Sequence, residues 1–109
     1  MNRLKFLIRS VLSFIFTLLA KQTCGEYKSL KANFYTRLTS RTRVGENVNF
    51  NGCVVYGRGE VIIGDNFHSG KGLRILTEIH DYRGKALPYD DTFIFKTTEI
   101  GDNVWLGMG

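Results

Sequence analysis

A mainly β chain, wound as a parallel β-helix behind an N-terminal α-helix, is the fold class that these 109 residues predict. Three observations carry the prediction. Residues 44–109 repeat with a period of six, the signature of a coil built from short strands and corners. Twelve glycines accompany a single proline, Pro88, which suits repeated tight turns better than a flexible linker. Residues 1–20 follow a different period, with apolar side chains at helical spacing. The length allows one domain with a small appendage, and the predicted division is a basic helical arm at 1–43 and a β domain at 44–109.

The arm opens with MNRLKFLIRSVLSFIFTLLAKQ. Leu4, Leu7, Ile8, Val11, Leu12, Ile15, Leu18 and Leu19 share a helical face, widened by Phe6, Phe14 and Phe16. Lys5, Arg9, Ser13 and Thr17 form a narrow polar strip at four-residue steps. Arg9 interrupts the apolar run, and the part from Ser10 to Ala20 falls short of the roughly 20 residues that cross a bilayer. A secretory signal fits poorly, because no small-residue cleavage site follows "LLA". Two readings stay open: an interfacial helix in peripheral membrane contact through residues 1–20, and a helix packed on its own domain or on a neighbouring subunit.

Charge is unevenly spread. Residues 1–43 hold nine Lys and Arg against Glu26 alone, whereas 44–109 hold six against nine Asp and Glu. The basic character therefore belongs to the arm and points to anionic lipid or an acidic partner. Nucleic acid is not an expected partner. Residues 22–43 read as a polar connection with a short helix around 27–38. Cys24 and Cys53 make no disulfide framework and no Cys-x-x-Cys motif, so a reducing, cytoplasmic setting is expected, with the inner face of the membrane as the place for the basic arm.

From Val44 the chain divides into sixes: VGENVN, FNGCVV, YGRGEV with one extra residue, then IGDNFH, SGKGLR and ILTEIH. A long interruption at 81–97 precedes IGDNVW and LGMG. Bulky residues open most units (Val44, Phe50, Tyr56, Ile63, Ile75, Ile100, Leu106), and glycine often follows. Apolar residues recur four positions on, at Val48, Val54, Phe67, Leu73, Ile79 and Val104. Both sets are predicted to point inward. Gly, Asn and Asp fill the corners, where φ is positive. Coils are expected at 44–62 and 63–80, with an incomplete third from about 98, or about two and a half in all.

VIIGDNF and TEIGDNVWLGMG resemble the left-handed β-helix, hexapeptide-repeat acyltransferases, over the whole of 44–109. The pattern is most similar to the maltose and galactoside O-acetyltransferase type. HDYRGKALPYDD is closer to the relatives that modify capsular and colanic acid polysaccharides. The resemblance implies a homotrimer with its sites between subunits, acetyl-CoA as donor, and a sugar or polysaccharide precursor as acceptor. Family members continue for several more sixes, so the chain is expected to be a fragment or an inactive product. In the latter case it would serve as an assembly or membrane-associated module. The sequence does not separate an O- from an N-acetyl acceptor.

His80 lies between the two IGDN phrases, where the family carries its catalytic histidine. Alternation turns it outward beside Glu78. Imidazole with an ordinary pKa near 6.5 is suited to take a proton from a sugar hydroxyl. Glu78, Asp81 or a main-chain carbonyl would fix its tautomer. The resemblance further assigns Asn49, in NFN, to the acceptor, and Trp105 and Met108 to the donor. Loop 81–97 is a candidate lid, with Asp81, Tyr82, Tyr89, Asp90 and Asp91 facing sugar hydroxyls. His68 raises the zinc chemistry of γ-type carbonic anhydrases, which share this fold. Catalytic zinc usually takes three protein ligands, two histidines fall short of that, and no metal is expected.

Overall fold

The computed structural model describes residues 2–88 and 91–109. It is mainly β, with parallel sheets and one N-terminal helix, α1 (Arg3–Thr23). Eleven strands follow: β1 (Glu26–Tyr27), β2 (Leu30–Arg37), β3 (Thr42–Val44), β4 (Val48–Tyr56), β5 (Val61–Ile63), β6 (His68–Ser69), β7 (Leu73–Leu76), β8 (Glu78–His80), β9 (Phe93–Phe95), β10 (Thr98–Ile100) and β11 (Trp105–Leu106).

One sheet runs β1-β3-β5-β10. Another runs β11-β6-β4-β2, with β7 joined to the second half of β4. All of these pairings are parallel, and the chain returns to the same row after a nearly constant interval. Arg43 faces Ile62, and Asn49 faces His68. The next return is longer, from Ile62 to Glu99 and from His68 to Trp105, because residues 81–97 loop out between them. The outgoing and returning stems of that loop, β8 and β9, form a two-stranded antiparallel ribbon.

The corners explain why the interval holds. Gly-Glu-Asn at 45–47, Gly-Asp-Asn at 64–66 and Gly-Asp-Asn at 101–103 stack on one another. Asn47, Asn66 and Asn103 adopt φ of 55°, 58° and 60°, the left-handed region that asparagine tolerates better than most residues. Their side chains form a ladder, Asn47 Nδ2 to Asn66 Oδ1 at 3.0 Å and Asn66 Nδ2 to Asn103 Oδ1 at 2.9 Å. Asp65 Oδ1 accepts from the Glu46 amide at 2.8 Å, and Asp102 Oδ1 from the Asp65 amide at 2.7 Å. Gly64 has no room for a side chain, since a Cβ there would strike Asp102 Oδ1.

The core is a column of inward residues. Val44, Val48, Phe50, Val61, Ile63 and Phe67 are all buried, and the Phe50 and Phe67 rings meet at 5.8 Å. Each such side chain contributes about 1.5–3 kcal/mol by leaving water. Ile100, Val104 and Leu106 continue the column and are half-buried.

Three expectations are corrected. Residues 30–37 form a strand rather than part of a short helix at 27–38. Leu30, Ala32, Thr36 and Leu38 are buried and lie on β4, with a register shift between Ala32 and Phe34. That shift leaves Phe34 exposed and so interrupts the two-residue alternation. Strand pairing consequently crosses the 43/44 boundary and begins at Glu26. Secondly, the inward phase slips by one within β4. Cys53 and Val55 are buried, Val54 is half-buried and Tyr56 is 47% exposed. A one-residue slip exchanges faces in a strand, and it occurs at Gly52, whose φ is 102°. Thirdly, Ile79 is 55% exposed, because it has left the column for the ribbon, where it pairs with Ile94.

α1 begins at an Asn2 cap, whose Oδ1 accepts from the Lys5 amide at 2.8 Å. The helix covers the free edge of β2. Thr17 Oγ1 accepts from the Ala32 amide at 2.9 Å and donates to the Ala32 carbonyl at 3.1 Å. Ser13 Oγ donates to the same carbonyl, and Thr23 Oγ1 accepts from the Leu38 amide. An uncovered edge strand would present these groups to any extended chain. Hydroxyls, not apolar side chains, are what such an edge requires.

Candidate functional site

His80 ends β8, at the base of the excursion. It is exposed, and its ring lies 4.5 Å from that of Phe93 opposite, on β9. Backbone pairing continues one step further, with the Asp81 amide donating to the Thr92 carbonyl at 2.9 Å. Arg58 lies on the same face of the ribbon. Its guanidinium stacks over Phe93 at 5.2 Å and Phe95 at 5.5 Å, and its Nε donates to Glu78 Oε1 at 2.6 Å.

The two carboxylates expected to orient His80 are therefore engaged by arginines. Glu78 holds Arg58. Asp81 Oδ1 accepts from the Arg83 amide at 2.9 Å and from its Nε at 3.3 Å, closing a small turn. Asp81 fastens the start of the loop, and Tyr82 beside it is 76% exposed. Tyr89 and Asp90 of the expected lid lie outside the described residues; Asp91 is exposed.

The other site residues form a second group. Asn49, His68 and Trp105 occupy consecutive register positions across β4, β6 and β11, one above another on the outer face. The Trp105 ring meets His68 edge-on, with centroids at 6.2 Å. Asn49 donates to its neighbour Asn47, through Nδ2 to Oδ1 at 3.3 Å. Met108 is exposed, and its amide crosses close over Gly70, where a Cβ would come within 2.8 Å.

Comparison with protein-family models, with curated proteins and with solved structures finds no significant match for this chain.

The chain thus gathers its predicted site residues into two groups on separate strands. His80, Asp81 and Tyr82 sit on the ribbon and its loop, while Asn49, Trp105 and Met108 sit along the β4-β6-β11 row. Sequence reasoning missed what joins the second group. His68, which the sequence raised only in connection with zinc, shares a 3.0 Å hydrogen bond between its Nε2 and Asn51 Nδ2. Asn51 Oδ1 accepts in turn from Asn33 Nδ2 at 3.0 Å. The signal was the 17- and 18-residue separations, which lie close to the interval at which the parallel rows return. Arg58 was missed for a different reason: only the ribbon, which has no counterpart in the repeat, brings Glu78 and Phe93 to it. Among the described residues, no cluster of three His, Cys, Asp or Glu is placed to hold a metal ion.

Proposed function

We propose that the chain belongs to an acetyl-CoA-dependent O-acetyltransferase of the hexapeptide-repeat type, acting on a sugar hydroxyl of a surface-polysaccharide precursor. The observation that carries this reading is the position of His80. It stands exposed at the root of an excursion framed by two stacked Gly-Asp-Asn corners. Such a site offers an imidazole on a rigid base beside a loop able to bear acceptor contacts. In this reading the parallel rows are the faces of a left-handed β-helix, with β4 bending from one face to the next at Gly52.

The chemistry needs little apparatus. His80 accepts the hydroxyl proton while the sugar oxygen attacks the thioester carbonyl. The carbon–sulfur bond then breaks, and the imidazolium returns the proton to the departing thiolate. Main-chain N–H groups would hold the oxyanion. Acetyl-CoA is the donor substrate, and a cytoplasmic location follows from its use. The separation of the two residue groups supports a site between copies, in a homotrimer. One subunit would contribute His80, Asp81 and Tyr82, and its neighbour Asn49 for the acceptor and Trp105 and Met108 for the donor.

Thiol release from acetyl-CoA across a panel of sugars tests the proposal. Removal of the base in His80→Ala is expected to lower turnover by about 10²–10⁴-fold with folding intact. An undiminished rate would remove His80 from the mechanism.

A further inference from the structure

Seating the polar strip of α1 on the edge of β2 has a consequence for its other side. Leu4, Leu7, Ile8, Val11, Ile15 and Leu18 are each 49–66% exposed. At 3.6 residues per turn they fall within an arc of about 100° and run for about 21 Å along the helix. A continuous apolar stripe of this size marks a binding surface. It is the inverse of an ordinary packed helix, because the strand edge claims the hydroxyls and leaves the aliphatic face outward.

The surroundings of the stripe identify what covers it. Arg3, Lys5 and Lys21 flank it, and no Asp or Glu precedes Glu26. No helix among the described residues is long and apolar enough to cross a membrane. Two copies meeting stripe to stripe would bring like charges together, with no acid on either helix to offset them.

We infer that α1, still docked on β2, lies in the interfacial layer of an anionic lipid membrane. Its aliphatic stripe enters the acyl boundary, and Arg3, Lys5 and Lys21 meet headgroup phosphates.

Flotation of the intact chain with vesicles tests this directly. Vesicles of phosphatidylcholine with phosphatidylglycerol are expected to bind about tenfold or more tightly than phosphatidylcholine alone. Added salt should erode the difference. The pair Val11→Glu and Ile15→Glu should abolish flotation with the circular dichroism unchanged, since both side chains face outward. Arg3→Gln with Lys5→Gln should retain weak binding and lose the anionic preference. Failure of the native chain to float, or unchanged flotation of the double glutamate variant, would overturn the inference. So would a concentration-dependent oligomer, seen by sedimentation velocity, that those glutamates dissociate, because it would assign the stripe to a second copy.

Discussion

Asn66 shows how much one residue holds in this chain. It adopts a left-handed φ, donates to Asn103 and accepts from Asn47. Asn66→Ala removes both side-chain bonds and strains the backbone, and is expected to cost about 1–2 kcal/mol. Asn66→Gly loses the same bonds without the strain, so denaturant titration should rank it between the native chain and the alanine variant. Cys53 makes a second residue-scale test. Burial pushes its thiol up from 9.0 to about 12. Its thiol is thus protonated in the folded chain where the unfolded chain already ionises. Its contribution to stability is complete below pH 9 and is lost progressively as pH rises from there toward 12. Alkylation of Cys53 near neutral pH should proceed only as fast as the chain opens, which mass spectrometry of labelled peptides can follow. The corner residues were legible in the sequence, because φ preference is local. The partners of His80 were not. Glu78 and Asp81 lie close in sequence to the histidine, yet each is held by an arginine, and Arg58 comes from a preceding turn of the repeat.

At the scale of elements, the seam between α1 and β2 carries the clearest prediction. Thr17→Val keeps the shape of the side chain but leaves the Ala32 amide without its helix partner. An edge amide so deprived costs about 1–3 kcal/mol, and hydrogen exchange at Ala32 should accelerate in step. The strand itself escaped sequence reasoning because its alternation is interrupted: Leu30 and Ala32 face in, then the register shifts, then Thr36 and Leu38 face in. Period-two reasoning needs an unbroken run, and here the exposed Phe34 interrupts it. The same fault reversed Val54 and Tyr56 around Gly52, and the ribbon took Ile79 out of the core. Columns containing no such break, Val44 with Ile63 and Val48 with Phe67, followed the sixfold phase. The helix was legible as a helix from its spacing. Its orientation was not, because nothing local says that a strand edge would compete for its hydroxyls.

At the scale of the whole molecule, parallel rows stacked on one core place two exposed histidines on different strands. His68 stands in the Asn49–Trp105 row and bonds Asn51, and His80 stands at the root of the loop against Phe93. The proposed chemistry requires the second and assigns no proton transfer to the first. The most direct measurement is thiol release from acetyl-CoA with a sugar acceptor by the native chain, by His80→Ala and by His68→Ala, each checked for native circular dichroism. A fall of about 10²–10⁴-fold is expected at position 80 alone. A comparable fall at position 68, with His80→Ala keeping its rate, would contradict the proposed chemistry.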